Sequence, residues 1–106
     1  MPEKGTLAAR GREEIMKVFE GPRQQQAFLR WWNANPRGYV LNSYVPADPS
    51  YLIIHRVGCW TLQRNIDAGH QMTKYGKRCS IHPAVLLRFA RSIGGSAWEC
   101  IHCFGH

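Results

Sequence analysis

Acidic side chains are the scarce class in this chain. Its 106 residues carry 7 Asp and Glu against 14 Lys and Arg, a net charge of +7 with His neutral. The deficit is uneven. In residues 1–20, Lys4, Arg10, Arg12 and Lys17 balance Glu3, Glu13, Glu14 and Glu20, whereas residues 21–106 set ten basic side chains against only Asp48, Asp67 and Glu99. Mid-chain carboxylates, Asp48 and Asp67 alone, are scarce for holding a pair of Mg²⁺ ions, so two-metal phosphoryl chemistry is nearly excluded. Long apolar runs are also missing. No stretch approaches the roughly 18 apolar residues of a membrane span, and none follows Met1-Pro-Glu-Lys-Gly5 as a leader would, so a cytoplasmic protein with no membrane partner is expected. Internal repeats, low-complexity tracts and a second Cys-x-x-Cys are absent as well.

The chain has Cys100-Ile-His-Cys103-Phe-Gly105, with Cys59 and Cys79 upstream. A Cys-x-x-Cys turn offers two thiolates to one tetrahedral Zn²⁺, and small domains often supplement a modest core with such a staple. In a reducing cytoplasm clustered cysteines point to metal rather than to disulfides. A thioredoxin-like redox pair is disfavoured, because that chemistry places the pair at a helix N-terminus and here it follows a strand. The expected ligands are Cys59, Cys79, Cys100 and Cys103, with His55 as the alternative, since His55-Arg-Val-Gly-Cys59 also has the spacing of a local His/Cys pair. His102 should point away, and His106 is terminal. The competing reading makes Cys59 and Cys79 small buried hydrophobes.

Periodicity predicts an α+β domain over residues 21–106: a small antiparallel sheet with flanking helices, stapled by a structural zinc site. Residues 1–20 read as a peripheral helical arm on the spacing of Ile15, Met16 and Phe19, stopped by Gly21-Pro22. A helix is expected over 23–34, with Phe28, Trp31 and Trp32 on one face and one of the two Trp in the core. Extended stretches follow at 38–45 and, most clearly, at Tyr51–Val57. Trp60 should open a short helical turn. A short strand at 77–81, a helix from Pro83 to about residue 93 and a last strand at 97–101 complete the order.

Basic and aromatic residues interleave, as in Arg30-Trp31-Trp32 and Lys74-Tyr75-Gly76-Lys77-Arg78. Cationic groups hold phosphates and flat rings stack on unpaired bases. The chain therefore reads as a zinc-stabilised module binding DNA or RNA through Arg56, Trp60, Arg64, Lys74, Tyr75, Lys77 and Arg78. It would serve as a reading head for modified or unpaired bases, with Trp60, Tyr39 or Tyr44 lining a pocket. No catalytic residues are assigned. The rivals are a small nuclease, using His55, Arg56, His70 and Lys74 for acid–base work, and a protein-interaction adaptor docking through the N-terminal segment.

Overall fold

The computed structural model describes residues 16–104. It is α+β, with a five-stranded mixed sheet between two layers of helix. Strand β1 (Lys17–Phe19) leads through a 3₁₀ turn at Pro22–Gln24 into helix α1 (Gln25–Ala34). Strands β2 (Tyr39–Ser43) and β3 (Leu52–Arg56) follow, then helix α2 (Trp60–Asp67) and strand β4 (Gly76–Ser80). Helix α3 (Pro83–Ser92), strand β5 (Trp98–Glu99) and the single turn α4 (Ile101–Phe104) complete the chain. The strand order is β1-β4-β2-β3-β5, antiparallel throughout except that β5 runs parallel to β3. The expected antiparallel sheet is thus a mixed one.

Register sorts the side chains into two faces. Val40 lies opposite both Cys79 and His55, and Asn42 opposite both Lys77 and Ile53, so all six share one side of the sheet. Over the Val40 and Cys79 end of that side, α1 and α2 bury Phe28, Trp32 and Leu62, joined by Phe19 and Met72. Trp32 Nε1 donates 2.8 Å to Gln63 Oε1 and so ties α1 to α2. Leu41, Leu52 and Ile54 point to the opposite side, where α3 covers them with Leu86 and Ala90. Pro83 opens α3, where its missing N–H costs nothing.

Three expectations change. The residues at 17–19 are not helical but form an edge strand along β4, because pairing across Lys17–Cys79, Val18–Arg78 and Phe19–Lys77 outweighs the helical spacing of Met16 and Phe19. Residues 1–15 of the predicted arm, Ile15 included, lie outside the described residues. The turn at Trp60 is a full eight-residue helix. The last strand is only two residues long and gives way to α4.

Candidate metal centre and its surroundings

Strand β3 ends at Arg56, and the chain reverses through a β-turn in which the Cys59 N–H donates 3.0 Å to the Arg56 carbonyl. Gly58 occupies the third turn position with φ +88°, which a type II turn requires and other residues resist. This turn lets His55, the penultimate strand residue, and Cys59, at the start of α2, address one point. The second half arrives along β5. The Cys100 N–H donates 3.0 Å to the Ile54 carbonyl, and within α4 the Phe104 N–H donates 3.1 Å to the Cys100 carbonyl. The turn so formed presents Cys100 and Cys103 to the β3–α2 turn.

One ligand atom from each of His55, Cys59, Cys100 and Cys103 falls within 4.8 Å of the other three. The Sγ atoms of Cys59 and Cys100 are 3.9 Å apart. Tetrahedral coordination with bonds of ~2.3 Å places sulfurs about 3.8 Å apart, so the separation suits a shared ion. The thiols are free, not disulfide-bonded. Supporting hydrogen bonds surround them: the Arg56 backbone N–H donates 3.3 Å to Cys103 Sγ, and Cys59 Sγ lies 3.2 Å from the Thr61 hydroxyl.

Three further features fit a cation. Nδ1 of His55 is buried without a hydrogen-bond partner, a costly state for an imidazole. Burial, with Lys77 and His102 nearby, drives the His55 pKa down to about 4, so the ring is the neutral form that ligates metals. The thiols divide. Burial alone would raise Cys59, but hydrogen bonds from Thr61, Cys103 and Cys100 hold it below the usual thiol value; burial raises Cys103 to about 12. Packed this closely, three thiols ionise together only if a cation offsets their mutual repulsion. The cluster could therefore bind a metal ion.

Cys79 is not one of the four. It lies on β4 on the far side of Val40 from His55, fully buried against the α1 layer, and burial pushes its pKa above any thiolate range. It is a small core hydrophobe, and His55 takes the place expected of it.

The seven predicted nucleic-acid contacts separate. Trp60 is 52% exposed and lies edge-on to His102, their ring centroids 5.1 Å apart. The Arg64 guanidinium sits 5.5 Å from the Trp60 ring. Exposed Arg56 stacks 4.6 Å from Phe104 and donates 3.0 Å to the Cys103 carbonyl. Lys74 and Tyr75 are exposed and line the cavity that His55 also borders. Lys77 is only 2% exposed, so it is no outward phosphate contact; it lies on the sheet side facing α2. Arg78 points to the opposite side, where it pairs with Glu20 at 3.3 Å and covers Phe89 at 4.1 Å. Of the predicted pocket rings, Tyr39 stacks on Phe104 beside Arg56, whereas Tyr44 packs on Tyr51 at 4.8 Å.

Sequence reasoning passed over Asn42 and Tyr51, which with Asn65 border a cavity on the α2 side of the sheet. A signal existed. The alternation that puts Val40 and Cys79 in the core also puts Asn42 and Lys77 on that side. Among the described residues no helix is long and apolar enough to cross a membrane. Compared with protein-family models, curated proteins and solved structures, the chain finds no match in any of the three.

Proposed function

We propose that the protein is a zinc-stapled nucleic-acid-binding module. A Cys₃His donor set suits Zn²⁺ in a closed, four-coordinate structural site. When bound, the ion would cross-link β3 to the C-terminal turn and hold their basic and aromatic side chains in fixed positions. The observation that carries the reading is the rim of the cluster: Arg64 lies against exposed Trp60, Arg56 lies against Phe104, and Arg56 and Trp60 border one shallow hollow with Cys59 and Cys103. Guanidinium groups held against rings can meet phosphates while the exposed face of Trp60 accepts a base. The net charge of +7 supplies the long-range attraction.

Of the two histidines a nuclease could use as a base, His55 is buried among the three cysteines and so withdrawn from general acid–base work, while His70 is exposed. The test is retention of labelled single- and double-stranded DNA and RNA across a salt series, together with elemental analysis. One equivalent of zinc is expected, with binding that weakens steeply as salt rises. Arg56→Ala combined with Arg64→Ala should flatten that slope by about two phosphate contacts. Salt-insensitive binding, or none to any nucleic acid at low salt, refutes the reading.

A further inference from the structure

Beside the metal cluster, sharing His55 as a wall, lies an open cavity of about 580 Å³. Its floor is the part of the sheet that α1 and α2 leave uncovered, carrying Asn42, Ile53 and Lys77. Leu62 and Asn65 of α2 form one wall. The segment from His70 to Tyr75 forms another.

That second wall is fixed in place. The Gln25 side chain donates 3.0 Å to the His70 carbonyl and accepts 2.8 Å from the Met72 N–H. The Gly21 N–H donates 2.8 Å to the Thr73 carbonyl. The volume lies in the range of small-molecule sites and far exceeds what one inorganic anion needs.

The floor has an unusual charge. Lys77 Nζ donates to Asn42 Oδ1 and, at 3.3 Å, to the Tyr75 carbonyl. Both acceptors are neutral, and an ammonium has three protons to give. Among the described residues no carboxylate lines the cavity. Burial lowers the Lys77 pKa to about 8, yet the side chain remains mostly charged near neutral pH. Asn42 Nδ2 in turn donates 2.8 Å to the Tyr51 hydroxyl, whose own proton is then free to be donated onward. The relay Lys77–Asn42–Tyr51 thus presents donors, while Ile53, Leu62 and Met72 supply apolar surface beside them.

We propose that this cavity receives a single unstacked nucleobase whose buried edge carries a carbonyl oxygen, met by the Lys77 ammonium. A cavity with apolar surface from Ile53, Leu62 and Met72 among polar walls accepts a flat ring, and a charged donor on its floor selects for an acceptor. The selection is also negative. Adenine has no carbonyl oxygen, and where thymine offers one it offers an amino group, so it reaches Lys77 only through a ring nitrogen, with a donor set beside a donor. Exposed Lys74 at the rim is placed to meet the attached phosphate. This pocket rests on the nucleic-acid reading for its biological ligand, but its chemistry can be tested apart from it.

The full chain, as purified with its metal, is titrated with thymidine monophosphate, deoxyadenosine monophosphate and inorganic phosphate. The readouts are the NMR signals of the Asn42 and Asn65 side-chain amides and the Met72 methyl. Thymidine monophosphate should shift all three, deoxyadenosine monophosphate should bind at least about tenfold more weakly, and phosphate should leave them in place. Lys77→Met, similar in length but uncharged, should weaken the thymidine response at least about tenfold at unchanged metal content. Asn65→Ala, on the α2 wall, should weaken it too and keeps the test decisive if the buried substitution fails to fold. No shift with thymidine monophosphate, an equal shift with phosphate, or affinity indifferent to both variants overturns the pocket. The source of the base is resolved with an oligothymidine strand and its abasic counterpart. Equal salt-sensitive binding to both strands refutes the pocket but not the module; mononucleotide binding without strand binding refutes the module but not the pocket.

Discussion

Replacing Cys79 and His55 in parallel separates a core thiol from a ligand. Cys79→Ala removes one sulfur from a fully buried position packed among Val40 and the α1 layer. The lost transfer energy is about 1 kcal/mol, and the void left behind brings the cost to about 1–2 kcal/mol. For a domain of this size that lowers Tm by roughly 5–15 °C. Metal content should stay at that of the parent protein, because Cys79 is not among the four clustered residues that could hold a metal ion. His55→Ala behaves differently. Structural zinc contributes roughly 10–16 kcal/mol of binding free energy in small domains, and losing one of four ligands removes a large share of it. The variant should lose stoichiometric metal on dialysis against a mild chelator, and its melting should then match that of the chelated parent. Elemental analysis and thermal melts with and without chelator are the assay. If Cys79→Ala loses the metal while His55→Ala keeps it, the ligand assignment is wrong.

Gly58→Ala tests the turn that aims His55 and Cys59. A Cβ there meets nothing within 4 Å, so the whole cost, about 1–2 kcal/mol, is backbone strain at φ +88°. A weakened metal affinity alongside the lower Tm is expected; an unchanged melt refutes the role of the turn. Lys77 makes stability depend on pH in a definite direction. Its native pKa is lowered from 10.5 to about 8, so between those values the unfolded chain binds the extra proton and stability rises with pH. Wild type should gain stability relative to Lys77→Met by on the order of 2–3 kcal/mol across pH 8–10, measured by urea melts; parallel curves contradict it. Glu20→Gln breaks a partly exposed pair with Arg78 and should cost less than about 1 kcal/mol by denaturant melt, whereas Arg78→Ala also uncovers Phe89 and should cost more. Equal costs would argue against the stacking contribution.

Much of the fold was legible because its signals are local. The β-branched run of β3, Pro83 at a helix start and the Cys-x-x-Cys pair all announce themselves within a few residues. What was hidden is non-local. Met16 and Phe19 have helical spacing, and only the presence of β4 alongside converts their segment into an edge strand. Cys79 is spaced like a ligand but faces the core, a distinction set by the register across Val40. Lys77 reads as one more cation in a basic loop until strand pairing turns it inward toward Asn42. The place of His55 in the cluster was, by contrast, legible locally, as the alternative ligand that a bend at Gly58 would bring to Cys59.

The shortest strand has an outsized consequence. β5 is two residues long and shields the free edge of β3 only while α4 anchors it. Chelation would release that anchor and bare the unpaired amides of Leu52–Arg56, a stretch rich in strand formers. If the cluster holds an ion, its removal should therefore show first as self-association in dilute solution, ahead of any loss of helix, and the ion would act as a guard against edge-to-edge sticking.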